Sequence, residues 1–171
     1  TAKHLSQQLY GATLRQVKDP AITVSTAKGI FNRLAASRPD VIVAELGDGI
    51  LGEYGVQDIL RDAELTRVGA AYVMAAPDPM ACWGAVELMR RDFGLPIAAI
   101  TGPATDNEVG QVYITTGLGL PAHNARRDAA GLLGVVVAAL DEWRSKAMGY
   151  SLSAVGGGEP ASAPELMANS R

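Results

Sequence analysis

The order of segments along the chain predicts an α/β protein, a three-layer αβα arrangement on a mostly parallel sheet. Two observations carry that expectation. Three runs apolar on both faces, "DVIVAEL" (40–46), "GAAYVMAA" (69–76) and "LPIAAIT" (95–101), read as strands covered on both sides. Segments of helical periodicity alternate with them, and parallel strands need such crossovers. The composition agrees: 171 residues, 48% hydrophobic and 19% charged, are enough for one domain with its own core.

In order, "TAKHLSQQLYG" spaces Ala2, Leu5 and Leu9 as a helix that stops at Gly11. "AITVS" reads as a short strand. "STAKGIFNRLAASRPD" puts Ala27, Ile30, Phe31 and Leu34 on one helical stripe, with Ser25 or Thr26 as its cap. After the 40–46 run, "VQDILRDAEL" reads as a short helix. Asp78-Pro79 opens a helix, the carboxylate capping and the proline filling the first turn, and Gly94 closes it. A polar loop leads to a helix from about Asn107, "LPAHN" offers a short fourth strand, and 125–149 reads as a long helix. The organisation expected is one α/β nucleotide-binding-like domain over 1–148 and a flexible Gly/Pro/Ser-rich tail over 149–171.

A net charge of −3 and a pI near 5.3 give no footing for nucleic-acid binding. The single cysteine, Cys82, excludes an internal disulfide and a multi-cysteine metal cage, which suits a cytoplasmic protein. The apolar runs are too short to span a bilayer, so no membrane partner is expected. Cys82 lies one turn inside its helix. Its neighbours Met80, Trp83, Val86 and Met89 favour packing, or a contact between copies in a homo-oligomer, over a reactive thiol.

Function turns on the stretch "AELGDGILGEYG". Gly47, Gly49 and Gly52 match G-x-G-x-x-G, but no helix opens directly after them, so a dinucleotide turn is not the favoured reading. Carboxylates at the end of a strand are more telling. Glu45, with Asp40 at the strand's start, suits Mg²⁺ or a substrate group, and Gly47 and Gly49 let backbone N–H groups approach an anion; the alternative is that Glu45 caps a neighbouring helix and the glycines only turn the chain. Thr101, Thr105, Asp106 and Asn107 crowd the exit of the third run, where they can read a base or a small polar substrate; the alternative is a capped turn, with Thr105 or Asp106 capping the next helix and Glu108 in its first turn. His123 and Asp48 are the candidate catalytic residues. Two histidines without paired spacing do not make a zinc site.

The run "DVIVAELGDGILG" resembles the acidic motif of the dethiobiotin-synthetase-like P-loop enzymes, and the order of elements from about Asp40 to Asn124 is similar to theirs. That resemblance implies a P-loop-NTPase-like fold, with Glu45 helping to hold Mg²⁺ and Asn107 near the base of ATP. The implied reaction activates a small carboxylic acid by phosphoryl transfer. No G-x-x-x-x-G-K-[ST] occurs in the chain. "TAKHLSQQL" looks like the helix that follows such a loop, which puts the loop ahead of Thr1; otherwise the domain is a degenerate one. Two alternatives stand beside it: an acyl-coenzyme-A-dependent N-acyltransferase acting on an amino acid, and a non-catalytic scaffold or oligomerisation domain.

Overall fold

The computed structural model describes residues 19–153 apart from 48 and 54. The expected first helix, Asp48 and the tail beyond Ser153 lie outside the described residues. The fold is mixed α/β with a small two-stranded parallel sheet. The chain divides into two compact units, one ending at Val68 and the next beginning at Gly69.

In the first unit, α1 spans Pro20–Ala35. Its start lies upstream of the expected cap. Asp19 accepts the Ala21 N–H at 2.9 Å, and Pro20 sits where no N–H is needed. "AITVS" is therefore the first turn of a helix and not a strand: a strong Asp-Pro start outweighs the β preference of Ile, Thr and Val. Thr23, Ala27 and Ile30 are the buried stripe. The segment expected as one helix forms two, α2 (Val56–Arg61) and α3 (Ala63–Arg67). Asp62 breaks it by capping the second, accepting the Glu64 and Leu65 N–H groups at 3.1 and 3.0 Å.

The 40–46 run is corrected outright. It joins no ladder, and Val43 is 92% exposed and Val41 44%. An apolar, β-branched run supplies propensity, but a strand also needs a neighbour's N–H and C=O groups. Among the described residues this run has none.

Lys28 ties α1 to α3. Its ammonium lies 2.9 Å from Asp62 and 2.7 Å from Glu64. Burial works to raise the Asp62 carboxyl, but the Lys28 ammonium and the Leu65 and Glu64 N–H groups together hold it below the ordinary carboxylate value. Hydrogen bonds to Glu64 and Asp62 raise Lys28 above its own. A depressed acid stabilises above its unfolded value and loses that effect as pH falls through the folded one. Asp62→Ala is expected to cost about 1 kcal/mol near neutrality. The gap from wild type should narrow in urea titrations as pH falls below 3.8 and through the depressed folded value.

In the second unit, β1 (Val73–Ala75) pairs in parallel with β2 (Ala99–Thr101), with Val73 opposite Ala99 and Ala75 opposite Thr101. A parallel bridge joins Ile100 to Ala122: Ile100 N–H donates to Pro121 and His123 N–H to Ile100. That bridge is what forms of the expected fourth strand. β2 is thus central and wholly buried, while Val73 on β1 is 40% exposed. Between the strands run α4 (Pro79–Leu88) and a π turn (Met89–Phe93), closed by Gly94 in the left-handed region. After β2 come a 3-10 turn (Pro103–Thr105), α5 (Glu108–Val112), a second π turn (Tyr113–Gly117) and α6 (Ala129–Ser153). Cys82, Met89, Ile100 and Ile114 form the core. Asp78 caps α4 as expected, accepting the Ala81 N–H at 2.8 Å. Burial raises the Cys82 thiol, as packing against apolar neighbours requires.

Candidate functional site at the carboxyl edge of the sheet

β1 and β2 end side by side. The Ala76 N–H donates to the Thr101 carbonyl and the Ala104 N–H to the Ala76 carbonyl, both at 3.0 Å. This closes the chain tightly over the end of the sheet, with Gly102 at φ 89° in the turn. The buried Thr105 hydroxyl donates to the Gly102 carbonyl at 2.7 Å.

Asn124, 7% exposed, organises the edge. Its Nδ2 donates to Asp106 Oδ1 at 2.8 Å, and its Oδ1 accepts the Arg126 and Arg127 N–H groups at 3.0 and 3.1 Å. Arg127 reaches back to the Asp106 carbonyl at 2.7 Å. The loop after β2 is thereby tied to the segment entering α6 by groups 18 to 21 residues apart. Sequence reading missed this network because its members are ordinary loop residues until the fold brings them together.

The predicted residues fare differently. Thr101 is buried at the end of β2, where its hydroxyl accepts the Ala125 N–H at 3.0 Å. Asn107 caps α5, its Oδ1 taking the Gly110 N–H at 2.9 Å, so its amide nitrogen is the group left for a ligand. Thr105 and Asp106, the caps expected there, are engaged elsewhere. Asp40, Glu45, Gly47 and Gly49 all lie on the exposed stretch of the first unit, Gly49 at φ 75°. Among the described residues no group of three or more His, Cys, Asp or Glu is placed to hold a metal ion.

His123 lies beside the Ala122 bridge, and its Nδ1 is 2.6 Å from Asp128 Oδ2. The other Asp128 oxygen caps α6, accepting the Gly131 N–H at 3.0 Å. Hydrogen bonds from His123 and then from Gly131 hold the Asp128 carboxyl below the ordinary range. A side chain at Gly131 would run into both the imidazole and the carboxylate.

Away from this edge, Pro79, Met80, Trp83 and Tyr113 line an open apolar groove of ≈ 420 Å³. Met80 is 72% exposed and Trp83 50%, whereas Cys82 and Met89 from the same expected cluster are buried.

These features define a mixed α/β protein whose parallel strands deliver polar groups to one edge. Comparison with protein families, with curated proteins and with solved structures finds no match for the chain. Among the described residues no helix is long and apolar enough to cross a membrane.

Proposed function

We propose that this chain is a P-loop-like, three-layer αβα nucleotide-binding protein that uses Mg–ATP to activate a small carboxylic acid. The observation that carries the reading is the convergence of Asp106, Asn107, His123 and Asn124 at the carboxyl ends of parallel strands, where open α/β sheets take their ligands. The Asn107 amide nitrogen is offered for the base. On the first unit, taken by itself and independently of that edge, Glu45 with Asp40 is offered for Mg²⁺ and the Gly47 and Gly49 amides for phosphate. The resemblance of "DVIVAELGDGILG" to the acidic motif of dethiobiotin-synthetase-like enzymes supports those last roles.

Calorimetric titration with Mg–ATP and, separately, with acetyl-coenzyme A tests this. Saturable Mg–ATP binding is expected. It should weaken about tenfold, or ~1.4 kcal/mol, in Glu45→Ala and in Asn107→Asp, the latter keeping the α5 cap while replacing the amide donor. Coenzyme A binding alone would favour the N-acyltransferase reading.

A second reading, association between copies as a scaffold, is favoured by one observation: Met80 and Trp83, both exposed on α4, line an open apolar groove with Pro79 and Tyr113. Met and aromatic residues are enriched at interfaces. Binding of neither ligand, with a mass above the monomer in sedimentation, would select it.

A further inference from the structure

We propose that His123 and Asp128 form a proton-accepting dyad at the carboxyl edge of the sheet, serving a neutral protic nucleophile (water, a hydroxyl or an amine) in acyl transfer. The dyad stands whether or not the edge binds a nucleotide. A carboxylate can only accept, so the 2.6 Å contact to Asp128 Oδ2 puts the proton of the neutral imidazole on Nδ1. The lone pair is then on Nε2. Among the described residues Nε2 has no hydrogen-bond partner and is not a buried unsatisfied atom, so it faces solvent.

Both members are held before any ligand arrives. The His123 backbone is fixed by its N–H to the Ile100 carbonyl at 3.1 Å, and the Asp128 carboxylate by the Gly131 N–H. Gly131 leaves room for the dyad, since any side chain there would displace the pair. Helix capping alone needs only one Asp128 oxygen and no histidine. An imidazole oriented by a carboxylate, with its far nitrogen open, is the arrangement of a general base.

In the balanced step, Nε2 takes a proton from the attacking nucleophile as its heteroatom bonds to the acyl carbon. The bond from that carbon to the leaving group breaks, and the leaving group departs with the electron pair. Asp128 stabilises the imidazolium until the proton passes to the leaving group or to solvent.

The test uses the full chain, 4-nitrophenyl acetate as acyl probe and water as nucleophile. Nitrogen NMR of the imidazoles reads the tautomer, with His4→Gln assigning the two histidines. In wild type the neutral His123 ring should carry its proton on Nδ1. Asp128→Asn keeps an oxygen for the α6 cap but turns an amide N–H toward Nδ1, so the proton should move to Nε2. Nitrophenolate release should fall about tenfold in Asp128→Asn and in His123→Gln, less than at full catalytic sites because the probe is not held, and the wild-type rate should slow in D₂O with no acetyl-imidazole intermediate in its spectrum, which separates proton removal from attack by the ring itself. A wild-type proton on Nε2, or unchanged release in both variants, would overturn the dyad. Should Asp128→Asn lose helix by circular dichroism, the wild-type tautomer and the His123→Gln rate decide.

Discussion

Gly102→Ala is expected to destabilise the protein by about 3 kcal/mol, combining backbone strain with overpacking. Gly102 sits at φ 89° and ψ −169°, a region that residues with a Cβ avoid. A Cβ there would also lie 2.8 Å from the Ala76 oxygen and 2.9 Å from the Ala76 nitrogen. Neither atom can retreat. The nitrogen donates to Thr101 and the oxygen accepts from Ala104, so moving Ala76 breaks the closure of the sheet's carboxyl edge. Urea unfolding should show a lower midpoint at unchanged slope. A loss under about 1 kcal/mol would mean that the turn relaxes without cost, contrary to this geometry.

The second large effect is expected at Ile100. Ile100→Ala should cost about 3 kcal/mol, within the range for deleting a fully buried aliphatic side chain. Ile100 is wholly buried on the central strand, flanked by β1 on one side and the Ala122 bridge on the other. Those backbone hydrogen bonds hold the cavity open, since the strand cannot collapse into it. Val73→Ala on the edge strand is the internal control: with 40% of the residue already exposed, its cost should stay near 1 kcal/mol or below. Equal losses at the two positions would contradict the assignment of β2 as the central strand.

Local chemistry was legible wherever it closed on itself within a few residues. Asp78-Pro79 announced α4, Gly94 its end, and a helix was readable from about Asn107. Asp19-Pro20 carries the same signal as Asp78-Pro79, yet the β-branched "AITVS" behind it masks that signal with strand propensity. The Asp62 break was written in the residue itself, a good cap set inside a helical run. Longer-range features were less legible. Strands of three residues form within apolar runs of about seven and eight, because pairing ends where the partner ends. Of the expected site residues, Thr101, Asn107 and His123 do stand at the carboxyl edge of the second unit. Asn124, Asp128 and Gly131, and the pairing of Asp106 with Asn124, became visible only through contacts.

By itself, the sequence determined an α/β chain with capped helices around parallel strands, since caps, turns and apolar periodicity act over one or two turns of chain. The tertiary structure decided which apolar runs became strands, burying 99–101 and leaving 40–46 without a ladder among the described residues, because a ladder requires hydrogen-bonding partners that no local signal specifies. It also decided which polar side chains meet. His123 faces Asp128, and Asn124 faces Asp106, because the bridge at Ala122 sets the path of the chain into α6.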